Sequence, residues 1–417
     1  MNALAWARAR ELITARSAAI MIAALVLAWL SLVSAASEAL GARAPNTLAG
    51  LAPGEIKARL KPFDSWLAKN PAKLFGGRPP SAVVAQSRFV LSHVPLHAGA
   101  VRWLGMDGYG SGDKKAGERL IALSNSLTRR NASVQLLMAG NAARDGDATG
   151  AFHHLDILMR THGEQGPMLF PQMASFLGDA QFRKSFVPYV RNRAPWLEDF
   201  LLTAVEDGKN PIPIAETLAD AGGLPDSDAY RRVQGQLLSQ VAEVGSFGTM
   251  RRLQATFPPR IRQQLDSSGF NAATTSPDYA PLAWRAYENP ESGASFIMAD
   301  QARRAGLVSS TGRGTAKVLD RVFFAAPGRY RLLSRGKAEV RAEGDTAYWR
   351  VACTGKDGAV LVDGKSNFLG KPAIAQFFDF TVPSGCTSFY AEMYAKAGTA
   401  AGLEFYLDDI VLTRVGA

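Results

Sequence analysis

The apolar positions of this chain fall into three regimes. From Ala18 to Ala36 the run carries no charge. From Ser81 to about Pro259 apolar residues recur at helical spacing in segments cut by Gly, Pro and Asp, and beyond Asp278 the spacing drops to alternation. Nineteen uncharged residues at ~1.5 Å each make roughly 28 Å of helix, close to the ~30 Å hydrocarbon thickness of a bilayer. Residues 18–36 are therefore expected to form a transmembrane signal-anchor. Arg8, Arg10 and Arg16, opposed only by Glu11, keep residues 1–17 in the cytoplasm by the positive-inside rule and send the remainder across. Val33-Ser34-Ala35 offers a cleaved signal peptide as the alternative. Either way the chain is exported, and the anchor reading predicts a single-pass protein of a bacterial inner membrane with its bulk in the periplasm.

Residues 37–80 hold Pro45, Pro53, Pro62, Pro71 and Pro79-Pro80 among Ala and Gly, which prevents a long helix and predicts a tether with short helices at most. Over 81–259 the dipeptide Gly112-Asp113 recurs as Gly146-Asp147, 34 residues later. Aligned on that period, Leu104-Gly105 falls over Met138-Ala139, Gly117 over Ala151 and Ile121 over Leu155, which places small residues where two helices cross and large apolar ones beside them. In these positions the segment resembles tetratricopeptide repeats, helix-turn-helix units of that period. It departs from the family's aromatic and proline positions, where Gly108 and Ala142, then Arg129 and Gly163, stand. Further units are expected through Phe170 to Val190, with Gly178-Asp179 as the turn, through Trp196 to Ala221, and through Asp228 to Phe257. The resemblance implies an all-α solenoid.

From 279 to 417, Trp349, Val351 and Cys353 share one strand face while Arg350 points away. Phe378, Phe380 and Val382 repeat the pattern, as do Phe389, Ala391 and Met393, and Pro327-Gly328 turns the chain into Tyr330 and Leu332. Eight to ten strands predict an all-β sandwich or jelly roll. Cys353 and Cys386, the only two cysteines, fall on different strands, and an exported chain permits them a disulfide. In the last strand Leu403, Phe405 and Leu407 have one parity and Ile410 and Leu412 the other, which a bulge at Asp408-Asp409 would reconcile. The Pro-Gly-Arg-Tyr-Arg-Leu segment at 327–332, together with Phe405 to Leu412, resembles the jelly-roll carbohydrate-binding modules of bacteria. The resemblance covers the last third of the chain. It implies a structural calcium ion held by Asp408 and Asp409; the competing reading is a solvated, twisted edge. Tyr390, Glu392 and Tyr394 lie opposite Phe389 and Met393. An exposed row of this kind would stack a sugar ring and take its hydroxyls; the alternative is packing under another layer.

Hydrophobic residues at 47% and charged ones at 20% mark folded protein, and the fold class is multidomain: transmembrane helix, helical solenoid, β-sandwich. The net charge of +10 is scattered in Arg pairs rather than gathered in a stripe, which argues against nucleic acid and for anionic lipid or polysaccharide. Five histidines between 93 and 162 show no metal-binding spacing, and Glu198-Asp199 and Glu206-Asp207 are neighbours that point apart on helices. Nucleophile-elbow, phosphate-loop and zinc-type patterns are missing, so the expectation leans away from an enzyme. The resulting picture is an envelope accessory protein for polysaccharide assembly or export. In it the helical repeats bind a partner protein and the sandwich a polysaccharide. A polysaccharide lyase or hydrolase and a purely protein-docking scaffold are the alternatives.

Overall fold

A computed structural model describes residues 59–69, 78–298, 304–312, 314–340, 342–355, 358–363, 369 and 374–415, with the single helical positions Ala24 and Ser31. The expected transmembrane segment, 18–36, otherwise lies outside the described residues, as does most of the tether. Among the described residues no helix is long and apolar enough to cross a membrane. The longest of them, Asp228–Glu243, has 16 residues, roughly 24 Å, and carries charges along its length. The expectation of a single-pass inner-membrane protein with a periplasmic bulk is corrected on that finding.

The chain divides into two compact units, Met1–His162 and Gly163–Ala417. The division falls within the helical region, not near residues 259–279 where the change of periodicity predicts it.

The first unit holds α1 (Lys61–Lys69), α2 (Ser81–His93), α3 (Ala98–Ser111), α4 (Lys114–Leu127), α5 (Ala132–Arg144) and α6 (Ala148–Thr161). Helices α3 and α4 form one hairpin and α5 and α6 a second. Their turns are built alike. Gly112 and Gly146 take the left-handed conformation that ends a helix, at φ 90° and 77°. Asp113 and Asp147 then cap the next helix by accepting from the amides of Ala116 and Gly150. The 34-residue period therefore marks a real repeat of turn and cap. Where α3 crosses α4, a Cβ on Gly117 would lie 2.9 Å from the Gly105 carbonyl oxygen and 2.9 Å from the Tyr109 nitrogen. Ala139 and Ala151 are buried at the corresponding places in the second hairpin. The core of the unit gathers Leu60, Val83, Trp103, Ile121 and Val134. Asp64 on α1 accepts from the Trp103 indole at 2.9 Å and pairs with the buried Arg102.

The second unit begins with α7 (Gly166–Phe176), α8 (Ala180–Arg191), α9 (Leu197–Asp207), α10 (Pro211–Ala221), α11 (Asp228–Glu243), α12 (Phe247–Gln254) and α13 (Pro259–Asp266). The Gly178-Asp179 turn is present, with Asp179 capping α8. The packing differs from further hairpins, however: α7 packs chiefly on α9, α8 on α10, and α10 on α12. Phe170, Phe186, Trp196 and Phe200 cluster with ring centroids 5.0–6.1 Å apart, bringing alternate helices together.

Among the described residues ten antiparallel strands follow: β1 (Arg285–Ala286), β2 (Ser292–Met298), β3 (Arg304–Ser310), β4 (Ala316–Phe324), β5 (Gly328–Val340), β6 (Thr346–Cys353), β7 (Val360–Asp363), β8 (Ile374–Val382), β9 (Ser388–Lys396) and β10 (Leu403–Val415). They form two five-stranded sheets, ordered β1-β4-β9-β6-β7 and β2-β3-β10-β5-β8. The inward parities are those expected, with Trp284, Trp349, Phe389, Phe405 and Leu407 at the centre of the core. The bulge in β10 is also present, as the register against β5 shifts between Asp408 and Val411 and Asp409 takes φ 46°. Ile410 is thereby returned to the core.

The segment joining α13 to β1 closes one end of the sandwich. Ser268 Oγ donates to the Ile410 carbonyl at 3.1 Å and accepts from the Leu412 amide at 2.8 Å, satisfying backbone groups that the bulge leaves behind. Arg321 of β4 is fully buried and donates to the carbonyls of Leu282 (2.8 Å), Ser267 (2.6 Å) and Leu265.

Gly117→Ala sets a helix-propensity gain of ~1 kcal/mol against backbone crowding that costs about 1–3 kcal/mol. The crowding should win, because the obstructing atoms are main chain. Thermal unfolding is expected to show a lower midpoint for the variant; an unchanged or higher one would refute the close crossing.

Candidate functional site

Strand β9 lies in the middle of its sheet between β4 and β6, so its outward side chains are flanked on both sides. Phe389, Ala391 and Met393 face the core, and Tyr390, Glu392 and Tyr394 take the other face, as the alternation predicts. The register sets Asp320, Glu392 and Arg350 in one row across three strands, with Arg285 of β1 beyond Asp320. The next row is Lys317, Tyr394 and Tyr348.

Asp320 has no exposure, and four donor groups surround it. Arg285 binds it bidentately through Nε (3.0 Å) and Nη2 (2.8 Å), the Tyr287 hydroxyl donates at 2.6 Å, and Lys317 Nζ at 3.0 Å. Burial alone would raise this carboxyl, but the Arg285 guanidinium, the Tyr287 hydroxyl and the Lys317 ammonium outweigh it and hold it below the ordinary value. The same contacts act on Tyr287, whose hydroxyl is pushed up to about 12 by burial and by the Asp320 carboxylate. Lys317 also reaches Glu392 Oε1 at 3.3 Å and so bridges the two carboxylates. Glu392 Oε2 accepts from Arg350 at 3.1 Å and from the Tyr394 hydroxyl at 3.2 Å. Both carboxylates of the row are thus paired with cations.

Beside this row the rings of Tyr348 and Tyr394 lie parallel, with centroids 5.4 Å apart and an angle of 11°. Both are half-buried, and the Arg350 side chain next to them is 40% exposed. Tyr390 differs from its neighbours on the strand. Phe247 of α12 meets it edge-on at 5.9 Å, so this ring packs under the helical layer and leaves the open part of the face. The expected Tyr390-Glu392-Tyr394 row is thus a real face of which Tyr394 is the accessible aromatic and Glu392 a paired carboxylate. Tyr348, Arg350, Lys317, Asp320, Arg285 and Tyr287 complete it. The outward parity of Arg350, and hence of Tyr348, was legible on β6; that β6 and β4 flank β9 was not.

The other expected site residues are placed as follows. Cys353 and Cys386 form a disulfide. Asp409 pairs with Arg335 at 3.2 Å, and Asp408 Oδ1 accepts from the Asp409 amide at 2.8 Å. Among the described residues no three His, Cys, Asp or Glu side chains converge as a metal site. The histidines serve local structure: His97 Nδ1 accepts from the Ala100 amide, and His154 Nδ1 meets Gln135 Oε1 at 2.9 Å.

No family model matches the sequence. No curated protein matches it either. Solved structures do. The CBM22-1 xylan-binding domain of Paenibacillus barcinonensis Xyn10C is 10% identical with a TM-score of 0.25, over 32% of this chain and 86% of that one. The sandwich resembles carbohydrate-binding modules. A family 16 carbohydrate binding module-2 is 15% identical at a TM-score of 0.25, over 31% and 90%. TmCBM61, solved with beta-1,4-galactotriose, is 14% identical at 0.23, over 31% and 88%.

Asp320→Asn is expected to destabilise the protein by roughly 3 kcal/mol at neutral pH, because it removes the anion from a buried pair. A carboxyl held low in the folded state contributes stability above its unfolded value of ~3.9, and that contribution disappears as pH falls through the folded value. Urea unfolding of both proteins should therefore show a gap at pH 7 that narrows below about pH 4. A gap independent of pH would contradict the assignment.

Proposed function

We propose that this protein binds a polysaccharide on the outer face of the β1-β4-β9-β6-β7 sheet and does no chemistry on it. The observation that carries the reading is the parallel Tyr348–Tyr394 pair beside Arg350 and Glu392. Aromatic rings supply apolar surface for the C–H faces of a sugar, and charged groups already fixed by one another offer donors and acceptors to its hydroxyls without having to be ordered on binding. Tyr394 and Tyr348 are the stacking residues in this reading, Arg350 the donor and Glu392 the acceptor that also orients Tyr394.

The same geometry weighs against the lyase or hydrolase alternative. Asp320 and Glu392 are two carboxylates on adjacent strands, the residue types that a glycosidase uses. A general acid must keep its proton near neutral pH, however, and Asp320 is held anionic by Arg285, Tyr287 and Lys317. It is also without exposure, so no glycosidic oxygen reaches it. In the proposed role the protein is an accessory factor of polysaccharide assembly or export, with the hairpins of α3 to α6 left for a protein partner.

Affinity electrophoresis against a panel of neutral and anionic polysaccharides, xylan and β-1,4-galactan among them, tests the reading. At least one glycan is expected to retard the protein, and Tyr348→Ala and Tyr394→Ala should each weaken binding at least tenfold, about 1.4 kcal/mol, with unfolding midpoints kept. Tyr390→Ala should weaken it less. Binding undiminished in both tyrosine variants, or release of reducing ends from the retained glycan, would refute it.

A further inference from the structure

Beyond the aromatic face, the second unit contains a cleft whose charges are not balanced. A cavity of about 320 Å³ is lined by Arg251 and Gln254 of α12, Asp266 at the end of α13 and Arg321 of β4. A recess of about 400 Å³ shares Arg251, Gln254 and Asp266 and adds Arg262 and Gln263 of α13. The two adjoin at these three residues, and each is within the roughly 300–1,000 Å³ usual for small-ligand sites. Three guanidinium groups meet a single carboxylate there. Among the described residues none of Arg251, Arg262 and Arg321 makes a salt bridge.

Arg321 sets the character of the cleft. Its guanidinium is fully buried, and three of its five N–H groups go to main-chain carbonyls, which fix it in place without cancelling its charge. Two N–H groups remain beyond those bonds. Arg251 lies over the Phe324 ring at 5.9 Å, a contact that holds the arginine at the rim and likewise leaves its charge unpaired. Gln254 and Gln263 add neutral donors. Fully buried, Arg321 contributes fixed positive charge to the wall, while the exposed forks of Arg251 and Arg262 carry the paired donors that match a carboxylate or phosphate.

We infer that this cleft is an oxyanion site, taking the carboxylate of a sugar acid or a phosphate group at Arg251 and Arg262, with the buried charge of Arg321 adding to the field. It is separate from the tyrosine face and does not depend on the glycan reading.

Isothermal titration of the full chain at low ionic strength, with inorganic phosphate, glucuronate and glucose as probes, tests the site. Phosphate or glucuronate is expected to bind in the millimolar range or tighter, more weakly as salt rises, while glucose does not bind. The double variant Arg251→Gln, Arg262→Gln should weaken the anion at least tenfold without losing the fold, since both residues are on the surface. Binding of glucuronate alone would identify a sugar-acid site, binding of phosphate alone a phosphate site, and either supports the inference. No heat with either anion, or equal affinity in the double variant, overturns it. Tyr348→Ala should leave anion binding unchanged, so failure of the tyrosine face and failure of the cleft give different results.

Discussion

A guanidinium removed from water must find oxygen for its N–H groups, and Arg321 finds it in the carbonyls of Leu265, Ser267 and Leu282. Much of the second unit follows from that requirement. The end of α13 and the approach to β1 are held against β4 by the same side chain. Ser268 then lies beside β10, where its hydroxyl serves both Ile410 and Leu412, and its carbonyl accepts from the Trp284 indole at 2.9 Å. Trp284 in turn meets Trp349 in the core, with ring centroids 5.6 Å apart. The helices and sandwich of this unit are joined through a buried polar junction and not by a linker alone. That explains why the compact division falls at residue 163 and not where the periodicity changes.

What the sequence disclosed was local. A Gly-Asp turn carries its own capping chemistry, so the repeat at Gly112 and Gly146 could be read from spacing and is found in the caps of Asp113 and Asp147. Strand parity is equally local, and so is the parity conflict that predicts the β10 bulge. Nonlocal pairings were not legible. Nothing in residues 166–254 states that α7 packs on α9 and not on α8, because both arrangements bury the same apolar faces; the choice lies in how Phe170, Phe186 and Phe200 interlock. Tyr390 and Tyr394 are equivalent in sequence pattern, and only the arrival of Phe247 separates them. The membrane segment was drawn from hydropathy alone, and no described helix has the length and apolarity to match it.

The charged row on the sheet shows why a buried acid pair need not be a catalytic one. Asp320 and Glu392 are directly opposite across β4 and β9, and two carboxylates this close would ordinarily push one another toward protonation. Lys317 between them, with Arg285 and Arg350 at either side, reverses that tendency. The arrangement also pins register, since a slip of one residue would turn these charges into the core. A structural role of this kind is compatible with ligand binding, because the groups that fix the sheet also fix the orientation of Tyr394.

The two polar regions of the second unit differ in one respect that decides what each can recognise. On the sheet, Asp320 and Glu392 are each paired with cations, so the face presents hydrogen-bonding groups already directed by one another, which suits hydroxyls packed on aromatic rings. In the cleft, the positive charge of Arg321 is held by carbonyl dipoles and that of Arg251 rests on a ring. Neither contact supplies a counter-charge, and burial pushes the Arg321 guanidinium down to about 9, with Asp266 opposing. A group in that condition remains cationic at neutral pH, and the low-dielectric wall around it strengthens its attraction for an oxyanion, against the cost of taking that anion out of water. On the proposed readings, the pairing of charge on one surface and its lack on the other, more than the shape of either, direct sugar hydroxyls to the first and an anion to the second.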